Sequence, residues 1–392
     1  MNISTSSLSR PLRILQLLEP SGGGSGRHFV DLCGALSRDG HAVTAIYSPV
    51  RAEERFVAEL AALGLEKVIA FPMRRAVGPW DFAAARAIAR IIREDGPFDI
   101  VHGHSSKAGA LARLRLPGRH IPRIYTPHAF RTMDPALGRL SRLVYGGVEL
   151  FLGRLLSDRI ICVSPSEYDH ARSLGLSAST LTVVVNGVDT PPADRRDAIR
   201  RDLGLPAGSL VYGFIGRLSA QKAPERLIAA FADVAKTTPH AILVIIGTGE
   251  LEPSVTAQIE ALGLGHRVRL RSDIPGNQAI QGFDILVQPS RYEAMSYVML
   301  EAAAAGKPMI LTNVGGTSTV LVDGLNGILV ANKDAPGDLA AAMAAVAAPA
   351  LLQRFTTASE ARRHGYGIQR MVDATVAIYR EALGANQRPS AG

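Results

Sequence analysis

A chain that alternates short β-branched runs with helix-length segments can bury both only as parallel sheets covered by helices on two faces. In the first half "RILQLL", "HAVTAIYS", "KVIAF", "DIVHGH", "RIYTPH", "DRIICVS" and "TVVVN" follow one another at such intervals. The second half gives "LVYGFIG", "AILVIIG", "RVRL", "DILVQPS", "PMILT" and "GILV". The polar, Pro- and Arg-rich stretch "GVDTPPADRRDAIRRDLGLPAGS" separates the two series, and after it the pattern restarts. The reading is α/β, two doubly wound Rossmann-like domains at 1–190 and 209–368, joined by a linker at 191–208. A last helix around "RMVDATVAIYREAL" and a frayed tail occupy 369–392, the helix being expected to return to the first domain. "DLAAAMAAVAAPALL" reads as two helices punctuated by Pro349.

Length agrees, since 392 residues exceed what one ordinary core organises and favour two domains of about 150 to 200 residues. Charged residues at 20% and hydrophobic ones at 47% describe a globular α/β chain. No window supplies the ~18 uninterrupted apolar residues of a spanning helix, and the N-terminus lacks a long apolar region with a cleavage site. The expectation is a cytoplasmic protein, with peripheral contact at the inner face of the cytoplasmic membrane as an option. Cys33 and Cys162 are far apart with no ligand spacing, which indicates buried thiols and no metal site. Of the net charge of +8, residues up to Arg195 contribute 24 basic against 18 acidic groups. Such a surplus suits an anionic membrane surface or lipid phosphate better than nucleic acid, or is simply Arg on solvated faces.

Ligands of open α/β sheets bind beyond the carboxyl ends of the strands. In the second half those ends carry Arg217 and Lys222 after "GFIG", then Gly249 and Glu250 after "LVIIG". Arg291 and Glu293 follow "LVQPS", and Gly315, Gly316 and Thr317 follow "ILTN". Each feature alone is an ordinary turn or a solvated cation. Their convergence describes a pocket with two cations, exposed backbone N–H groups and a helix N-terminus, the means by which proteins hold a diphosphate. Glu293 and Glu301, in "RYEAMSYVMLEAAAAG", lie eight residues apart in an apolar setting that demands partners for both. At 3.6 residues per turn they are ~80° out of phase, so Glu293 belongs in the loop and Glu301 in the helix. A nicotinamide enzyme is disfavoured, because "GGGSG" fails the G-x-G-x-x-G spacing and no acid ends the second strand; no G-x-x-x-x-G-K-[ST] is present either.

These residues resemble the E-x7-E signature of retaining glycosyltransferases of family 4, which have the two-domain GT-B fold. The likeness runs through "GGGSGRHFVDLCGAL", "HGHSSKAGALARL", "TPHAF", "VVVNGVD", "GRLSAQKAPERLIAAF" and "TNVGGTSTVLVDGLNGILV", in the family's order. The resemblance implies that Arg217 and Lys222 neutralise the donor diphosphate, Glu301 binds the nucleotide ribose and Glu293 contacts the donor sugar. Gly24, Gly26, Gly249, Gly315, Gly316 and Thr317 would lie on the nucleotide side, His128 beside the reacting sugar, and His104 and Lys107 on the acceptor side. Ala294, Met295 and Ser296 stand where the family places Gly and a bulky aromatic, and Thr319 where it commonly places Glu.

The resemblance further implies hexose transfer from a UDP- or GDP-sugar, a substrate and not a cofactor. Retention, metal independence and a lipid-linked, lipopolysaccharide or exopolysaccharide glycan acceptor complete the expectation. A soluble sugar or sugar-phosphate acceptor and a silent nucleotide-sugar scaffold are the alternatives. "RLSRLVYGGVELFLGRLLSDR" reads as a helix pair. Ordinary packing turns its Leu and Val to the core and its Arg to water; a membrane-surface segment would do otherwise.

Overall fold

The computed structural model describes residues 10–74, 76–115, 120–135, 137–189 and 195–385. They form two compact units: the chain up to Gly187 together with the segment from Ile368, and Val188–Gly367. All thirteen runs read from the sequence form strands. In the first unit β1 (Arg13–Leu18), β2 (Ala42–Tyr47), β3 (Lys67–Ala70), β4 (Ile100–His104), β5 (Arg123–Thr126), β6 (Arg159–Cys162) and β7 (Leu181–Val183) lie in the order β3-β2-β1-β4-β5-β6-β7. In the second, β8 (Leu210–Ile215), β9 (Ala241–Ile246), β10 (Val268–Arg271), β11 (Ile285–Gln288), β12 (Met309–Thr312) and β13 (Gly327–Val330) lie in the order β10-β9-β8-β11-β12-β13. Every pairing is parallel.

Winding reverses between β1 and β4 in one sheet and between β8 and β11 in the other. At such a switch point successive loops diverge and leave a crevice at the carboxyl edge. The opposite edge is pinned by a recurring device. Asp99, Asp158 and Asp284, each just ahead of a strand, accept the N–H of Arg13 (2.9 Å), Arg123 (2.8 Å) and Val211 (2.8 Å) on the neighbouring strand. Register is thereby fixed beside both switch points.

The helix Ile368–Ala385 belongs to the first unit, where Met371, Val372, Ile378 and Tyr379 pack with Phe29, Leu32 and Leu36 of the helix Gly23–Arg38. Residues 191–194 of the expected linker, and residues 386–392 of the expected tail, lie outside the described residues. Beyond 194 the linker stretch forms a helix, Arg196–Asp202, that buries Ile199 and sets Arg196 and Arg200 on Asp284. Its arginines, read as linker polarity, are the partners of a strand-pinning aspartate. Cys33 and Cys162 are both free and buried.

"RLSRLVYGGVELFLGRL" forms one helix, Arg139–Leu155, not a pair. Its inward face carries Glu149, Leu152 and Gly153. The Glu149 carboxylate accepts hydrogen bonds from Arg113 Nη2 and Tyr125 OH, both at 3.0 Å, and the Arg113 guanidinium lies 3.9 Å from the Tyr125 ring centroid. Gly153 has no room for a side chain, since a Cβ would come within 2.3 Å of Leu176. The arginines face water as expected, but of the leucines Leu152 turns inward while Leu140 and Leu143 are 75% and 73% exposed. Among the described residues no single helix is long and apolar enough to cross a membrane.

Removing one partner of a buried ion pair strands the other charge. With Arg113 fully buried, Glu149→Ala is expected to cost about 3–5 kcal/mol in urea-induced unfolding of the first unit. A loss below about 1 kcal/mol would show that the pair does not anchor this helix.

Candidate functional site

In the second unit the loops after β8, β9, β11 and β12 are clasped together at the carboxyl edge. Three contacts are backbone against backbone. A Cβ on Gly247 would fall 2.0 Å from the Gly216 carbonyl oxygen, one on Gly249 2.4 Å from that of Leu218, and one on Gly315 2.1 Å from that of Glu293. Gly316 adds a left-handed φ of 79° against Met295. Side chains complete the clasp: Lys222 Nζ donates to Glu293 Oε1 at 2.5 Å, and Gln221 Nε2 donates to the Tyr292 carbonyl at 3.0 Å. The turn Ser219–Ala223, closed by Ala223 at φ 51°, presents Lys222 ahead of the helix Pro224–Thr237. Arg217 is exposed on the same loop.

Glu301 sits in the second turn of the helix Tyr297–Ala304, half-buried, with Glu293 in the preceding loop. Thr317 is buried, and its hydroxyl donates to the Thr312 carbonyl at 3.1 Å, so its side chain braces the loop. The edge thus assembles Arg217, Lys222, Gly249, Glu293, Glu301, Gly315 and Gly316. The arrangement can offer cations and a carboxylate to a ligand carrying phosphate and hydroxyls.

The first unit gathers histidines at its own switch point. His104 ends β4, His128 follows β5 and His28 lies in the helix Gly23–Arg38. Gln16 Nε2 donates to Tyr379 OH (3.0 Å), and His102 is bracketed by two hydroxyls, Tyr379 OH at 2.6 Å from Nδ1 and Thr126 Oγ1 at 2.8 Å from Nε2. Gln16 Oε1 can only accept, so His104 Nε2–H is the donor at 2.8 Å. His104 Nδ1 is then the acceptor for His128 Nε2–H at 3.0 Å. This chain of directed bonds leaves the Nδ1 lone pair of His128 as the acceptor of a partly exposed ring.

Burial holds all four imidazoles neutral. It lowers His28 to about 4, and it takes His102, His104 and His128 well below the usual histidine range, where the neighbouring rings add to the effect. His128 and Ala129 adopt left-handed φ values of 54° and 84°, conformations that cost energy unless the surroundings impose them. Glu167 imposes them, accepting the N–H of Ala129 at 2.6 Å and of Val163 at 2.7 Å. Burial pushes its carboxyl up to about 7 against those two bonds. Ring nitrogens of His28, His104 and His128 lie within 4.8 Å of one another, the one grouping among the described residues spaced to hold a metal ion. Neutral imidazoles serve equally to bond sugar hydroxyls.

The remaining sequence candidates are placed differently. Lys107 is not presented to the histidines: its ammonium donates to both Asp81 oxygens at 2.7 Å and to the Ala76 carbonyl at 3.0 Å. Gly24 and Gly26 form the first turn of the helix Gly23–Arg38, not a loop. At its start Glu53 accepts the Gly23 N–H at 3.1 Å, a carboxylate at a helix N-terminus.

Comparison with known proteins decides the family. Residues 22–191 match the description Glycosyltransferase Family 4, and residues 195–360 match Glycosyl transferases group 1. A D-inositol 3-phosphate glycosyltransferase of Geodermatophilus obscurus is 32% identical over 344 residues, 79% of this chain and 73% of that protein. This chain belongs to the family 4 glycosyltransferases. A UDP-Gal:alpha-D-GlcNAc-diphosphoundecaprenol alpha-1,3-galactosyltransferase of Escherichia coli is 29% identical over 65% of this chain and 67% of its own. The fold of Anabaena Alr3699/HepE, solved with UDP and glucose, matches with a TM-score of 0.77 at 19% identity, over 94% of this chain and 99% of that one. The glycosyltransferase therefore has the GT-B fold.

Sequence reasoning missed Gln16, His28, His102, Glu167 and Tyr379 in this enzyme. His28 and His102 stood in quoted motifs and only the paired H-x-H of "HGH" carried a signal; Tyr379 is 363 residues from Gln16. The neutral histidines fix a pH dependence. An unfolded histidine takes up a proton near 6.5 that the folded one refuses, so their stabilisation is complete above about 6.5 and is lost as pH falls below it. Glu167, raised, acts in the opposite sense between about 7 and 4.5. Stability to urea is expected to fall from pH 7 to pH 5, and His28→Asn to lessen the slope by up to about 1.4 kcal/mol per pH unit. An unchanged slope would contradict a neutral His28.

Proposed function

We propose that this glycosyltransferase moves a hexose from a UDP- or GDP-sugar, with retention and without a metal, to a lipid-linked or lipopolysaccharide/exopolysaccharide glycan acceptor. The observation that carries the reading is the Lys222–Glu293 pair, held among glycine-clasped loops at the β8/β11 switch point. A nucleoside diphosphate leaves with growing negative charge, and fixed cations stabilise that charge more in the transition state than in the ground state. Lys222, released from Glu293 by the incoming phosphates, and Arg217 supply this. Glu293 is then available to a sugar hydroxyl and Glu301 to the ribose, while Gly249, Gly315 and Gly316, by letting loops lie on one another, hold the backbone that faces the donor. Thr317 contributes by bracing its loop.

In the retaining step the acceptor oxygen bonds to the anomeric carbon on the face the diphosphate leaves, and a departing phosphate oxygen takes the acceptor proton. His128, neutral and oriented by His104, accepts a hydrogen bond from a sugar hydroxyl. The E. coli relative, named for a diphosphoundecaprenol acceptor, supports the lipid-linked reading; on that reading the protein works at the inner face of the cytoplasmic membrane. A second reading, transfer to a soluble sugar phosphate, is favoured by the relative named for D-inositol 3-phosphate.

A thermal-shift and hydrolysis screen of UDP, GDP and their glucose, galactose, mannose and GlcNAc conjugates tests the donor half. One base is expected to stabilise the protein, with Glu301→Ala abolishing the shift and Lys222→Ala lowering kcat/KM by about 10²- to 10³-fold. Transfer should persist in EDTA. No shift with any nucleotide, or loss in EDTA restored by Mg²⁺, would overturn the donor or the metal-free assignment respectively. Competition between polyprenyl-diphosphate-linked and inositol-phosphate acceptors separates the two readings.

A further inference from the structure

The helix Arg139–Leu155 is built the wrong way round for a core helix. Its acid, Glu149, points inward to Arg113 and Tyr125, while a continuous outward stripe is apolar. Leu140, Leu143, Val144, Val148, Phe151 and Leu155 recur at spacings of three and four, which places them on one face, and all are exposed. A contiguous exposed apolar face of this kind marks an interaction surface. The inward face is fixed by the buried ion pair and by Gly153, so the helix cannot roll to hide the stripe.

Charge selects the occupant. The other charged residues of this helix are Arg139, Arg142 and Arg154, all exposed and all cationic, with arginine at both ends. A second copy docked antiparallel would set Arg139 and Arg142 against Arg154, and a parallel one would set like on like; both are repulsive. An anionic bilayer meets every term. It takes Leu and Phe into the acyl boundary, seats Tyr145 at the headgroup level and pairs phosphates with the flanking guanidiniums. Arg142 and Arg154 already donate to the Asp134 and Gly175 carbonyls, which holds them at the ends of the stripe.

We propose that the helix Arg139–Leu155 lies in the interface of a bilayer carrying anionic phospholipids, apolar face down, and docks the first unit on the membrane. The inference deepens the proposed function and rests on its lipid-linked acceptor for its purpose. Its test is independent of that reading, because docking requires no sugar nucleotide.

The experiment is flotation of the full chain with vesicles of phosphatidylcholine alone or mixed equally with phosphatidylglycerol, for wild type and Leu143→Ser/Phe151→Ser, at low and high salt. Both substituted side chains are exposed, so the variant is expected to keep the wild-type unfolding transition and nucleotide response. Wild type should float with the mixed vesicles and not with phosphatidylcholine alone, salt should weaken binding, and the variant should bind at least about tenfold less. Equal flotation of the variant, indifference to phosphatidylglycerol, or no flotation of wild type would overturn the proposal. So would a concentration-dependent dimer, abolished in the variant, without vesicle binding. A protein that floats yet ignores every nucleotide would keep the docking and lose the transferase reading.

Discussion

Two backbones cannot meet where a Cβ stands between them, and the carboxyl edge of the second unit depends on such meetings. Gly247, Gly249 and Gly315 each let one loop lie on the carbonyl of another. The loops after β8, β9, β11 and β12 become one surface, and Lys222 is carried to Glu293. The parallel sheet supplies the place, because reversal of winding between β8 and β11 opens the edge where these loops emerge. Packing sets the pairing: a lysine that would otherwise be solvated is held against a carboxylate, at the place proposed for a diphosphate.

The first unit reaches an ordered site by a different physics. Its polar groups are buried, and each must find a partner. The solution is a chain of bonds, Gln16 to Tyr379 to His102 to Thr126 and Gln16 to His104 to His128, in which the Gln16 carbonyl sets the tautomers of His104 and His128. Burial keeps the rings neutral, and Glu167 holds the left-handed backbone that presents His128. Deep packing of Tyr379 links this network to the helix Ile368–Ala385, 363 residues from Gln16 in sequence.

The strands were legible because β-branched runs bounded by turns leave little alternative, and the convergence of loops at the carboxyl edge of the second unit because its residues follow strands directly. The E-x7-E spacing separated loop from helix correctly, with Glu293 before Ser296 and Glu301 within Tyr297–Ala304. Contacts made by tertiary folding were not legible. Lys107 looks the same in sequence whether it faces a substrate or, as here, Asp81. The stretch before Leu210 read as linker because its arginines serve Asp284, a partner more than eighty residues away. The helix Arg139–Leu155 misled for a related reason: a glutamate claimed its inner face through Arg113, and Leu140, Leu143 and Leu155 were left outside. Departures at Ala294, Met295 and Ser296 are absorbed by packing, since Gly315 and Gly316 close on this segment's backbone and on Met295.

The glycine-clasped edge holding Lys222 and Glu293 is proposed as the diphosphate site. The most direct measurement is a crystal structure with whichever of UDP or GDP binds. The diphosphate is expected within hydrogen-bond distance of Lys222, with the Lys222–Glu293 pair opened and the ribose on Glu301. A diphosphate bound elsewhere, with that pair intact, would contradict the proposal.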